Sequence, residues 1–130
     1  MPPEPAMPGS PKHWLEYANS DLLLAKIQPK GVLLEMLCFH AQQAAEKAIK
    51  SVLLAQGIEF PRTHNVRILL ELLPDKAVIP DLVWNAAKLT RYAVTFRYPG
   101  DFEPVTDTEH AEALTIAEAV TRWASQAIGG

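Results

Sequence analysis

Apolar residues recur every three to four positions along most of the chain, and the recurrence breaks at prolines and glycines. Trp14, Tyr17, Ala18, Leu22 and Ala25 share one face of a helix that Pro29 and Gly31 bring to an end. Ser10-Pro11 marks its start, with Ser10 as N-cap and Pro11 at the first helical position, where no amide is needed. Residues 32–56 carry the longest stripe: Leu34, Leu37, Ala41, Ala45, Ala48 and Val52. Gly57 fits the position just beyond, where a left-handed backbone is wanted. After the loop IEFPRT, Thr63 is the expected N-cap of a short helix from His64 to Leu73, stopped by Pro74. Pro80 opens a fourth helix with Leu82, Ala86, Leu89, Ala93 and Phe96 on one stripe. Thr106 and Glu109 have the spacing of a capping box. The helix they open runs to about Ala127 and turns Leu114, Ala117, Val120 and Ala124 inward.

No segment reads as a strand, and the short connections make neighbouring helices roughly antiparallel. The predicted fold is therefore all-α, an up-and-down bundle of four long helices plus one short helix. Residues 1–11 hold five prolines and no periodicity, which predicts a flexible tail. Residues 12–128 make one helical domain, with no internal repeat.

Composition narrows the function classes. A chain of 130 residues is long enough for one core. No apolar run approaches the roughly 18 residues of a membrane helix, and MPPEPAMPGSPKHW lacks the layout of a signal peptide. A single cysteine, Cys38, excludes an internal disulfide and fits a reducing, cytoplasmic setting. Between Leu37 and Phe39 on a long helix, it reads as a small core residue. The net charge of −3 gives no global pull on polyanions, so any such binding must come from a local basic patch.

Candidate chemistry lies away from the apolar stripes. His40, Gln43, Lys47 and Lys50 step by three or four into a polar ribbon, read as a solvated or partner-facing surface. Lys88, Arg91 and Thr95 form a second ribbon on the fourth helix. The segment LTRYAVTFRYPGDF places two Arg-Tyr pairs, Arg91-Tyr92 and Arg97-Tyr98, at a helix end. Arg97 has two readings: it neutralises the exposed carbonyls of the last turn, or it edges a site. On a straight helix Arg91 and Arg97 diverge, and they converge only if the chain turns at Tyr98-Pro99. His64 follows the expected N-cap and reads first as a loop-to-helix residue, second as a catalytic one. His13 and His110 have no evident companions. Zinc spacing, phosphate loops, dinucleotide turns and nucleophile elbows are all missing, so the sequence implies neither a metal nor a cofactor.

FHAQQAAEKA at 39–48, Thr63-His64-Asn65, and Tyr92 followed by Arg97-Tyr98-Pro99 together resemble the HEPN family (higher eukaryotes and prokaryotes nucleotide-binding domain). The resemblance covers about residues 13–127. It implies a bundle of about five helices that commonly dimerises, often encoded beside a minimal nucleotidyltransferase in a toxin–antitoxin-like pair. Many members of the family are metal-independent RNases that carry Arg-x(4–6)-His. In this sequence that window holds Phe102, Glu103 and Pro104 after Arg97, and Phe96, Arg97 and Tyr98 after Arg91. Neither contains a histidine.

The resemblance therefore implies first a binding module. This is a homodimeric subunit that holds a nucleotide or RNA phosphate through Arg91, Arg97, Tyr98 and Lys47 and pairs with a nucleotidyltransferase protein. An arginine without its histidine can still grip phosphate through its planar fork. The alternative is a metal-independent ribonuclease toxin with an atypical site, using Arg97 with His40 or His64. A third reading makes the arginine–tyrosine corner purely structural. Trp14, Trp84 and Trp123 are available to anchor a dimer interface.

Overall fold

A computed structural model of the chain describes residues 7–93 and 103–129. Its element order is α1 (Pro11–Ile27), α2 (Leu34–Ala55), α3 (Val66–Glu71), a 3₁₀ turn (Lys76–Val78), α4 (Asp81–Trp84) continuing as a 3₁₀ helix (Asn85–Tyr92), and α5 (Asp107–Ala127). Every regular element among the described residues is helical. The expected tail falls largely outside them, with its last residues, Met7–Ser10, forming a turn closed by Ser10 N–H on Met7 C=O.

Three predicted helix ends have the chemistry the sequence suggested. The Ser10 hydroxyl accepts from the His13 amide, with Pro11 opening α1. Thr106 and Glu109 form a complete capping box at α5. At the end of α2, Gly57 takes φ +71°; its N–H reaches Leu54 C=O and Ile58 N–H reaches Leu53 C=O, the paired bonds of a Schellman motif.

Helix α2 is the axis of the fold, packed against α1, α3, α5 and the 3₁₀ helix. Ala41, Ala44, Ala45 and Ala48 are wholly buried around more than one face, and their small side chains let neighbouring helices approach closely. Ile49, Val52 and Leu53 complete its share of the core, and Cys38 is buried with them as expected. On α1 the inward residues are Leu15, Ala18, Leu22 and Ala25. Tyr17, expected on that stripe, is 56% exposed, and Trp14 is half-buried. On α5 the buried line is Ala113, Ile116, Ala117, Val120 and Ala124, with Leu114 only half-buried.

Two expectations are corrected. The third helix begins at Val66, not His64, because Asn65 is the N-cap: its side chain accepts from the Arg67 and Ile68 amides. Thr63 instead accepts from the Asn65 amide and shapes the loop before the helix. The fourth helix is α-helical for only one turn and then tightens to 3₁₀. Its buried residues are Val83, Ala86, Leu89 and Tyr92, a strict step of three, and side chains three apart eclipse in a 3₁₀ helix. Leu82, placed on the predicted 3.6-residue stripe, is 40% exposed. Tight winding also aligns Lys88 and Arg91, which reach Glu112 at 3.6 Å and Glu109 at 2.8 Å on antiparallel α5. Phe96 lies outside the described residues.

Candidate functional site

The polar side chains of α2 gather into two networks, each built around a carboxylate. Asp21 sits on the inward side of α1 among Ala18, Leu22 and Ala25, and it is nearly buried. A carboxylate there needs partners. His40 Nδ1 lies 3.0 Å from its Oδ1, and Lys47 Nζ lies 2.6 Å from its Oδ2. The sequence thus singled out two residues that the fold brings together, and it missed the anion that joins them.

Lys47 also faces a hollow of about 380 Å³ lined by Gly9, His13, Trp14 and Tyr17. Its ammonium stands 5.9 Å from the Tyr17 ring centre. His13 meets Tyr17 edge to face at 4.8 Å, and its Nδ1 accepts from the Gly9 amide. His13 therefore does have companions. One cation beside several aromatic walls offers charge for an anion and flat surfaces for a ring.

The second network centres on Glu46, whose side chain is 4% exposed. Oε1 accepts from Gln42 at 3.0 Å and from His64 Nδ1 at 2.8 Å, and Oε2 accepts from Lys50 at 2.9 Å. Burial by itself would push the Glu46 carboxyl up. The hydrogen bonds from Gln42, Lys50 and His64, with the Lys50 charge, outweigh it and hold the carboxyl below the usual range. Gln42 also donates to the His64 carbonyl, which ties the loop to α2. Lys50, expected on a solvated ribbon, is buried between Glu46 and the rings of Trp14 and Phe60, at 5.6 and 5.5 Å. Because His64 directs Nδ1 at a carboxylate, that nitrogen is the donor and Nε2 is left facing outward. A second hollow of about 500 Å³ opens here, lined by Trp14, Lys50, Phe60, Arg62, Thr63 and His64.

Arg91 stands elsewhere. Its Nη2 donates to the Tyr92 hydroxyl at 2.6 Å and to Glu109 at 2.8 Å, and its guanidinium carbon lies 4.8 Å from the Tyr92 ring centre. Partial burial opposes its charge, but the bond to Tyr92 and the nearby Glu109 raise its pKa overall. Burial also pushes the Tyr92 phenol up. The crevice at this corner is only about 10 Å³, room for a water molecule at most. Among the described residues its lining shares none with either hollow, and Arg91 and Lys47 line different cavities. Arg97 and Tyr98, the other expected phosphate ligands, lie outside the described residues.

His110 proves to be a core residue. It is buried on α5, and its Nε2–H donates to Ala25 C=O at 3.0 Å, tying α5 to the last turns of α1. No helix among the described residues is long and apolar enough to cross a membrane.

Comparison with known proteins agrees with this architecture. The HEPN domain model matches residues 11–127. The crystal structure of TT1696 from Thermus thermophilus is 33% identical with a TM-score of 0.77, over 90% of this chain and 97% of that one. ST0689, an archaeal HEPN homologue, is 29% identical with a TM-score of 0.69, over 92% of this chain and 98% of its own. No curated protein matches the chain.

Proposed function

Because the chain belongs to the HEPN domain family, we propose that it is a homodimeric nucleotide- or phosphate-binding subunit that works with a minimal nucleotidyltransferase in a toxin–antitoxin-like pair. The observation that carries the binding half of this reading is Lys47 at the mouth of the aromatic hollow formed by His13, Trp14 and Tyr17. A nucleotide asks for a flat apolar surface for its base and a cation for its phosphate; this hollow offers the rings and Lys47, whose charge is shared with Asp21. Arg91, Arg97 and Tyr98 are the second phosphate contact that the sequence suggests; Arg91 would have to exchange its bond to Glu109 for the ligand. Neither arginine has the family's histidine at the required distance, which favours binding over RNA cleavage of the usual kind.

Homodimerisation has its own support. Leu23, Leu24 and Ile27 at the end of α1, Val32 and Leu33 just before α2, and Met36 in its first turn are all exposed. A cluster of that kind commonly marks an interaction surface.

The test is calorimetric titration with adenosine and guanosine mono- and triphosphates, followed by co-expression with a nucleotidyltransferase encoded beside this chain. Binding that Lys47→Ala abolishes, together with co-elution of the two proteins, is the expected result. Folded protein that takes no nucleotide and captures no such partner would sink the reading. A second reading, metal-independent RNA cleavage, draws on His64, whose outward Nε2 and buried carboxylate partner suit a general base. Cleavage of RNA in EDTA that Arg97→Ala or His64→Ala abolishes would establish it instead.

A further inference from the structure

The hollow beside His64 shares Trp14 with the Lys47 hollow and is otherwise lined by side chains that nucleotide binding at Lys47 leaves idle. Three of its features belong together. Trp14 and Phe60 meet edge to face, with centres 6.2 Å apart and planes at 89°, so they form a corner of two apolar walls. Lys50 is already neutralised by Glu46 and buried against both rings, so it is part of the wall and not a mobile ligand. Arg62 and His64 stand at the rim. Arg62 is exposed and makes no hydrogen bond or ion pair among the described residues. His64 is 66% exposed, with Nδ1 fixed by Glu46 and Nε2 outward. Thr63 Oγ1 accepts from the Asn65 amide, which leaves its hydroxyl proton free to donate.

We infer that this hollow is a second binding site, and that it takes a nucleoside monophosphate unit. The phosphate lies against Arg62, Thr63 and Nε2 of His64, and the base lies in the corner of Trp14 and Phe60. The inner charges nearly cancel, Glu46 against Lys50, so the site's surplus charge comes from Arg62. That selects an anion. The ring corner selects a flat anion over a plain one, because aromatic faces add stacking to the charge. A volume of about 500 Å³ suits a ligand of that size. Glu46 is a positioning residue here: it sets the orientation of the imidazole and does not reach the ligand.

The unit has two sources, a free mononucleotide or one step of a single strand. Trp14 lines both hollows, so a strand passing over the indole would meet Lys47 on one side and Arg62 on the other.

The experiment is calorimetric titration of the full chain with AMP and with a 5′-phosphorylated oligoadenylate of three residues, in wild type, Arg62→Ala, His64→Gln and Lys47→Ala. Arg62→Ala touches an exposed, unpaired side chain, and His64→Gln can still offer a donor to Glu46, so both variants are expected to fold. The site requires that Arg62→Ala and His64→Gln each weaken AMP binding by about tenfold or more, with Lys47→Ala leaving this component in place. Equal affinity for AMP and the oligomer then identifies a free nucleotide. Tighter oligomer binding that needs both Arg62 and Lys47 identifies a strand. AMP binding that depends on Lys47 and ignores Arg62 overturns this inference while sparing the proposed function, and no binding of any probe overturns both.

Discussion

Nδ1 of His64 lies 2.8 Å from Oε1 of Glu46, so an imidazole at the surface is tied to a carboxylate that is almost wholly inside the protein. The carboxylate is satisfied from three directions, by Gln42 and Lys50 of its own helix and by His64 from the loop. Removing one donor leaves a buried charge short of a partner, and breaking a buried pair from one side is costly. Lys50→Met is expected to lower unfolding free energy by about 3 kcal/mol, measured by urea denaturation at neutral pH.

The same residue sets a pH dependence. The folded Glu46 carboxyl is held below its ordinary value of 4.5. The stability this contributes is present above the unfolded value and is lost as pH falls through the depressed folded value. Glu46→Gln binds no proton in either state, so its denaturation midpoint should change less than that of wild type between neutral pH and about pH 3. Parallel curves for the two proteins would show that Glu46 contributes nothing to acid sensitivity.

How much of this was legible in the sequence depends on the range of the interaction. Helices α1, α2 and α5 could be read because their signals are local: Ser10-Pro11, the Gly57 terminus and the Thr106–Glu109 box each act within a few residues. The fourth helix misled because Ala86 and Leu89 fit both a 3.6-residue and a three-residue period. Only Val83 and Tyr92 tell the two apart. The networks were visible by halves. His40 and Lys47 were read as one ribbon, but Asp21, the anion that joins them, was missed because it lies 19 and 26 positions away. Glu46 and Lys50 are a helical i,i+4 pair, yet nothing local announces that His64 folds back over 18 positions to join them.

His110 illustrates the same limit and gives a third prediction. Its spacing from other histidines suggested an isolated residue, whereas its Nε2–H satisfies the Ala25 carbonyl inside the bundle. His110→Phe fills similar space but leaves that carbonyl unpaired. A buried acceptor without a donor costs about 1–3 kcal/mol, and thermal unfolding should register the loss. His110→Gln, which retains a donor, is expected to recover part of it. If the Phe variant melts like wild type, the bond to Ala25 does not stabilise the contact between α1 and α5.

Asp21 leads to a prediction of opposite sign for stability and binding. Its carboxylate is 2.6 Å from Lys47 and 3.0 Å from His40, so it organises the network while cancelling the charge the proposed ligand would use. Asp21→Asn keeps the shape and removes the anion. The variant should unfold more easily, and its phosphate ligand should bind more tightly, by up to about tenfold for one unit charge at this range and partial exposure. Measuring affinity and melting temperature on the same samples separates the two effects. A tighter but less stable protein is the expected outcome. Weaker binding would mean that Asp21 acts by holding Lys47 in place, and that its charge is not what limits affinity.

The exposed cluster at the turn between α1 and α2 gives the last prediction. Leu33 is 61% exposed and Ile27 64%, and both belong to a group with Leu23, Leu24, Val32 and Met36. Leaving such side chains in water gains nothing for a monomer, whereas a second copy laid against them would remove about 25 cal/mol of unfavourable hydration per Å² of apolar surface covered. Leu33→Glu places a charge in that contact. In an isolated chain an exposed substitution shifts stability by no more than about 0.5 kcal/mol. In a dimer built on this face it buries an unpaired carboxylate and should drive dissociation. Light scattering on a sizing column over a range of concentrations checks this directly. Wild type should run as a dimer and Leu33→Glu as a folded monomer. A dimer in both cases would place the interface on another face and leave this cluster unexplained.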